Sequence, residues 1–386
     1  MSKPKQKVLV AISGGVDSSA AAFLLKKQGY QVEGVFMRIG DNYQEAELAA
    51  RKVCDFLKIK FYPVNVSQEF KREIIDYFIE SYEQGQTPNP CVKCNKVIKF
   101  GELMKWKDRL GADFLATGHY VINKYNKEIK EFEIFKGIDK TKDQSYFLYN
   151  LKQDQLKNIL FPLGNYEKED IKKMVKQEGI PILEKESMDI CFLTESGKAI
   201  EQNDFLKKKL KLTKGKIILV TDKKEKDKRV TKEIGEHDGL PLYTIGQRRG
   251  VNIGGTGPYY VAGVDNVRNI LYVVSDPVDS LLMSDCLESE ENNFISNKKP
   301  KKRSDCEAVI RYRHKPVKTK LIINNIIKWP ILNKIFKNGK IVKSRFYEKQ
   351  RAITVGQSVV WYQGDRLIGG GVISKNCGCD IRQNVL

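Results

Sequence analysis

Apolar and polar positions divide the chain into two textures. In the first half, short apolar runs alternate with segments that repeat every three to four residues. Val8 to Ile12, Val32 to Met37, Ile59 to Val66 and Phe114 to Thr117 read as strands. Ser18 to Lys27, Tyr43 to Leu57, Glu69 to Tyr82 and Lys96 to Leu110 read as helices, with a loop from Gly85 to Pro90. Strands and helices in alternation predict a parallel sheet covered by helices, which binds ligands at the carboxyl ends of its strands. From about Lys211 the helical period fades. Lys216 to Val220, Tyr259 to Ala262 and Ile270 to Val274 are strand-like runs between Gly, Asp and Asn turns. Pro277 to Leu287 reads as a connector and Ser296 to Arg303 as a solvated loop, and a last β-rich block covers Cys306 to Ile373. The expected fold is an α/β N-terminal domain (1–210) followed by two smaller β-rich domains (211–280 and 281–386), the last a β-barrel.

Charge adds a partner. Lys and Arg number 68 against 48 acidic residues, a net charge of +20. A surface of that sign suits a polyanion, because phosphate contacts release counterions. Abundant Lys, Ile and Asn also fit compositional drift. No apolar stretch approaches the roughly 20 residues that cross a bilayer, and the N-terminus is too polar for a secretory signal. A cytoplasmic protein without a membrane partner is expected. There, eight cysteines point to catalysis, metal binding or burial rather than a disulfide framework.

Three segments carry candidate chemistry. Ser13-Gly-Gly-Val-Asp-Ser-Ser19 follows the first strand and opens the first helix. Glycines admit phosphate close to the backbone, and a helix N-terminus supplies aligned N–H donors. Asp17 suits a Mg²⁺ bridge or a backbone cap. No Lys follows the glycines, so this is not a Walker loop; it resembles the pyrophosphate loop of ATP pyrophosphatases. The plainer reading is a Gly-rich turn with a Ser/Asp cap. Thr87 to Asn95 (TPNPCVKCN) presents Cys91 and Cys94 just before a helix, where Lys93 and Lys96 are expected to lower a thiol pKa. The CxxC pair equally suits a metal or cluster site or a redox disulfide, although a Cys₄ zinc site lacks its second pair. Cys191 stands alone between apolar residues, as a core cysteine would.

Read together, the motifs are more specific. AISGGVDSS (11–19), TPNPCVKCNKVIKFGEL (87–103), ATGHY (116–120), KDQSYFLY (142–149), DICF (189–192), GLPLYTIGQRRGVNIGG (239–255), RYRH (311–314) and GQSVVWY (356–362) occur in this order over nearly the whole chain. In these segments the chain resembles the tRNA-specific 2-thiouridylase family. The resemblance implies that Ala11, Ile12, Ser13, Gly14, Gly15, Val16, Asp17 and Ser18 hold ATP phosphates, with Mg²⁺ near Asp17. Met37 and Gly118 would line the adenosine pocket, and Asn89, Pro90 and Cys91 would approach the base. Cys94 falls at the nucleophile position and Cys191 at the persulfide position, with a transient disulfide between them. His119, Lys142, Asp143, Gln144, Arg311, Tyr312 and Gln357 would touch tRNA.

Two positions depart from the family pattern: Cys91, where many members have Asp, and Val355, often Pro. Cys91, Cys94 and Cys191 could thus ligate a [4Fe–4S] cluster, the alternative to a persulfide. The implied reaction is ATP-dependent 2-thiolation of the wobble uridine in Lys, Glu and Gln tRNAs. It requires a sulfur-relay protein or cysteine desulfurase and a thiol reductant. The rivals are another ATP-pyrophosphatase tRNA-modifying enzyme and a non-catalytic tRNA binder with a relic nucleotide fold.

Overall fold

The computed structural model describes residues 5–40, 43–183, 190–195, 198–222, 229–251, 253, 257–298, 301–324 and 341–378. Asp189 of the DICF segment, Asn252 and 254–255 of the long glycine-bearing segment, and Cys379 lie outside these residues.

A five-stranded parallel sheet organises the N-terminal part. Its strands are β1 (Lys7–Ala11), β2 (Gln31–Arg38), β3 (Lys60–Asn65), β4 (Phe114–Ala116) and a short strand at Ile159–Leu160. β1 is central: Val8 aligns with Val32 on one side and Phe114 on the other. Val8, Leu9 and Val10 have no exposed surface, as helix cover on both faces requires. From β1 the chain steps outward to β2 and β3, and β4 then lies on β1's other side. This reversal opens a crevice at the carboxyl ends of β1 and β4, where open α/β sheets bind ligands. Residues 12–18 and 117–119 emerge there.

The expected strands and helices are present within about three residues, with one consequential exception. The helix placed from Lys96 begins at Pro90: Pro90–Cys94, Asn95–Glu102 and Leu103–Arg109 run on as one element. Asn89 caps it, its side chain accepting from the Val92 amide at 3.2 Å, and Pro90 occupies the first turn, where its missing N–H costs nothing. Cys91 and Cys94 therefore lie inside the helix rather than ahead of it. Its middle section, Asn95–Glu102, is wound as a wider π-helix.

Gly215–Asp222, Arg229–His237, Tyr260–Asp265 and Ile270–Val274 form a second, four-stranded sheet. Six further strands close on themselves in the order Met283–Phe294, Ile341–Arg351, Val317–Asn324, Arg303–Val309, Ser358–Gln363 and Arg366–Asn376, the last pairing back to the first. The α/β domain followed by two β-rich domains, the last a barrel, is the architecture the pattern predicts. Two details differ. The expected connector 277–287 already contains the barrel's first strand from Met283; alternating acidic residues hid it. The hairpin of Val121–Asn126 and Glu131–Lys136 leaves the α/β layer and extends the barrel's sheet, pairing Phe135 with Arg366 and Ile134 with Leu367.

Candidate active site

The loop after β1 is shaped by what it must avoid. Gly14 has φ +81°, and a Cβ there would lie 2.7 Å from the Ala49 Cβ and 2.9 Å from the Ala50 nitrogen. Only glycine fits this turn. The helix α1 (Val16–Lys27) then starts at Gly15 with no side-chain cap, so its first amides point into the crevice. The Ser18 hydroxyl accepts from the Ser13 amide at 3.0 Å and donates to the Gly15 carbonyl at 3.2 Å, and Ser19 Oγ donates to the same carbonyl at 2.8 Å. These hydroxyls brace the turn, and the hydroxyl of the exposed Ser13 joins them, 3.1 Å from Ser18 Oγ. Ala11 and Ile12 carry the chain out of the strand. Gly118 packs on the same helix start: a Cβ there would be 2.8 Å from the Asp17 carbonyl carbon. Met37, at the end of β2, is half-buried against the core.

Asp17 is not bare. Its Oδ1 accepts from Lys168 Nζ at 2.5 Å and from the Tyr120 hydroxyl at 2.7 Å. Sequence reading found neither partner. Lys168 lies 151 residues away, and no local pattern marks it. A Mg²⁺ ion held with ATP takes most of its ligands from phosphate and water, so one carboxylate suffices, and Asp17 fits that part.

The thiols form a second cluster. Cys94 is half-buried and Cys191 is exposed. Phe192 fixes the Cys191 segment, its ring packing edge-on against Phe70, Phe78 and Phe205 at 6.1, 5.2 and 5.8 Å. Cys191 is therefore an accessible thiol in a recess, not the core cysteine its apolar neighbours suggest. Burial pushes the Cys94 thiol up to about 12; Lys99 opposes this, while the charges of Cys191 and Cys91 add to it. The recess raises the Cys191 thiol in the same way, again opposed by Lys99. The lowering expected from Lys93 and Lys96 does not occur. Lys93 lies over the Tyr77 ring at 3.9 Å, and Lys96 pairs with Glu291 at 3.5 Å. Lys99, unremarked in the sequence, is the cation that acts on both thiols. Among the described residues no group of three His, Cys, Asp or Glu side chains closes to a metal-holding arrangement, so the three thiols do not form a ready cluster site.

His119 links the two centres. It follows Gly118, is buried, and bonds Thr117 Oγ1 through Nδ1 at 2.7 Å. Its ring meets Phe100 of the thiol-bearing helix at 5.8 Å. Burial, with Lys99 adding to it, holds its pKa well below the usual histidine value, so it is neutral.

The other expected RNA contacts divide. Lys142 and Arg311 are exposed. The Asp143 carboxylate accepts from the Gly137 and Ser145 amides and the Ser145 hydroxyl, and Gln144 Oε1 accepts from the Tyr120 amide at 3.1 Å. Tyr312 lies 4.4 Å from the Phe147 ring. Gln357 Nε2 donates to the Thr87 and Pro88 carbonyls at 3.0 and 3.2 Å, tying the barrel to the segment that holds Asn89, Pro90 and Cys91.

A parallel α/β sheet with a glycine turn at its switch point, followed by two β-rich domains, is an architecture of the HUP class, whose fold suits nucleotide binding. Residues 6–195 match the tRNA methyl transferase HUP domain, 203–275 the tRNA methyl transferase PRC-barrel domain and 284–373 the aminomethyltransferase beta-barrel domain. The chain is 40% identical to tRNA-specific 2-thiouridylase MnmA 1 of Caldanaerobacter subterraneus subsp. tengcongensis, covering 96% of this chain and 98% of that one. It is 40% identical to the enzymes so named from Carboxydothermus hydrogenoformans and Clostridium botulinum, over 96% of this chain and 98% and 100% of theirs. The chain belongs to the tRNA-specific 2-thiouridylase family. No helix among the described residues is long and apolar enough to cross a membrane.

Proposed function

We propose that this protein is an ATP-dependent sulfurtransferase that converts C2 of the wobble uridine in Lys, Glu and Gln tRNAs from carbonyl to thiocarbonyl. The observation that carries this reading is the continuity from phosphate loop to thiols. Asp17 and Ser18 abut Gly118, His119 follows and meets Phe100, and Lys99 beside it acts on Cys94 and Cys191. This continuity supports coupling of nucleotide activation to sulfur delivery.

The uracil C2 oxygen is a poor leaving group. It attacks the α-phosphorus of ATP, pyrophosphate departs, and the oxygen becomes part of a leaving AMP. The outer sulfur of a persulfide on Cys191 attacks C2 and expels AMP. Cys94 then attacks the Cys191 sulfur, breaking its bond to the transferred atom and closing a Cys94–Cys191 disulfide. A thiol reductant reopens it, and a relay protein or cysteine desulfurase reloads Cys191. The amides at the start of α1 bind phosphate, and Mg²⁺ bound with ATP would offset phosphate charge. An anticodon-loop base leaves its stack cheaply enough to enter such a recess. The basic surface suits the polyanionic substrate. A [4Fe–4S] carrier on Cys91, Cys94 and Cys191 is the second reading; Cys91 stands where the family often has Asp, but no ligating triad is formed.

The test combines ATP, cognate tRNA, a persulfide donor and purified protein. Pyrophosphate release should require tRNA, and nucleoside mass spectrometry should detect 2-thiouridine. Release that ignores tRNA, or RNA without new thiouridine, contradicts the proposal.

A further inference from the structure

The phosphate loop contains a contradiction. It is built for a tetraanionic ligand, yet Asp17 places a carboxylate in it, and no lysine follows its glycines as in a Walker loop. The fold supplies a cation from elsewhere. Lys168 is the first residue of the helix Lys168–Gln177, packed beside α1. Its backbone amide is fixed by Asp139 Oδ2 at 3.1 Å, and shortly beyond this helix the Leu183 amide docks on the Gly14 carbonyl at 2.9 Å. Its side chain is 16% exposed and reaches Asp17, itself 35% exposed, at 2.5 Å. Tyr120 donates to the same carboxylate oxygen at 2.7 Å and sets its ring 5.7 Å from the ammonium.

We propose that Lys168 is the pyrophosphate-binding cation of this site, held in reserve by Asp17 until nucleotide arrives. This rests on the ATP-dependent reading above. Paired to Asp17, the ammonium cancels the carboxylate that would otherwise repel ATP. With nucleotide bound, Asp17 would be free to hold a magnesium ion and Lys168 to reach the β- and γ-phosphate oxygens. There it offsets the charge that builds on pyrophosphate as the bond to the α-phosphorus breaks. A point-charge ammonium on a flexible stem suits such an exchange of partners. A role confined to the β- and γ-phosphates predicts that Lys168 contributes to binding of pyrophosphate and not of AMP.

That asymmetry is the test. Equilibrium binding of AMP, magnesium pyrophosphate and a non-hydrolysable α,β-methylene ATP analogue is measured for the full chain and for Lys168→Met and Lys168→Arg. Lys168→Met should weaken pyrophosphate and the analogue by about tenfold or more, as loss of a charge-assisted hydrogen bond implies. AMP binding should stay within about twofold by the same reasoning, and Lys168→Arg should recover part of the loss, since its charge persists. Equal weakening of all three ligands, or of none, overturns the proposal. A wild-type protein that binds no adenine nucleotide would sink the ATP reading itself; wild-type binding with an unaltered Lys168→Met sinks only the role of Lys168.

Discussion

Replacing Gln357 by Leu distinguishes two roles for one side chain. Family resemblance places Gln357 on the RNA, whereas its amide faces inward and donates to the Thr87 and Pro88 carbonyls. Leu keeps the volume and removes both donors. Each neutral hydrogen bond contributes about 1 kcal/mol net, so about 2 kcal/mol of local stability is lost. The Thr87 amide still donates to the Val355 carbonyl at 2.9 Å. A loss of about 2 kcal/mol in local opening free energy corresponds to roughly 30-fold faster amide exchange. Hydrogen exchange read by mass spectrometry over residues 86–95 measures this directly. Intrinsic tRNA affinity, measured beside it at fixed low salt, should fall little. Exchange within threefold of wild type together with collapsed tRNA affinity would refute the inward role and return Gln357 to the RNA.

Four further outcomes follow from the same geometry. Cys94→Ser and Cys191→Ser should each abolish 2-thiouridine formation while tRNA binding survives; near-wild-type thiolation by either variant removes the two-thiol mechanism. With its thiol pushed up to about 12, Cys94 should react with iodoacetamide about tenfold faster per pH unit from 7 to 10, because only the thiolate reacts. A rate that levels off near pH 8 contradicts that burial, and Lys99→Met should slow the reaction at every pH. Arg311→Ala should weaken tRNA binding and leave ATP binding unchanged, since a guanidinium suits phosphate and base edges; unaltered affinity assigns it a structural part. Cys91→Ala should keep most activity if sulfur travels as a persulfide. An inactive, well-folded variant that also loses iron and visible absorbance establishes the cluster carrier instead.

What the sequence shows and hides follows interaction range. β1 is legible because a parallel strand covered on both faces is a continuous apolar run, and the turn after it because only glycine tolerates that approach. The thiol-bearing helix was placed six residues late. Thr87 to Pro90 reads as a loop, yet Asn89 and Pro90 are a cap and a first-turn residue for the helix they precede. The thiol acidity was misjudged for a related reason. Lys93 and Lys96 are neighbours in sequence, but Tyr77, Glu73 and Glu291 engage their charges. Lys99 replaces them because the π-helical winding, with more residues per turn, brings the fifth residue after Cys94 back toward the same face. Lys168 and Tyr120 meet Asp17 only through the tertiary fold. The hairpin at 121–136 carries a normal strand pattern, and nothing in that pattern says which sheet it joins.

The bracing of the Thr87–Cys94 segment explains why a nucleotide-binding fold of this kind carries two β-rich domains. Thr87 Oγ1 lies 3.0 Å from Thr244 Oγ1, next to the second sheet, while its carbonyl and amide are held by Gln357 and Val355 at the barrel. Asn89 and Pro90 then begin the helix that carries Cys94. The segment that leads to Cys94 is therefore held from three sides, and only one of them belongs to the α/β domain. Cys191 is fixed differently, through Phe192 on the aromatic group of Phe70, Phe78 and Phe205. The segment leading to Cys94 is thus hydrogen-bonded to the barrel, and the one bearing Cys191 is packed on helical aromatic side chains. In the proposed reaction the two sulfurs must meet while the transferred sulfur is still bonded to Cys191, because the attack of Cys94 is what breaks that bond.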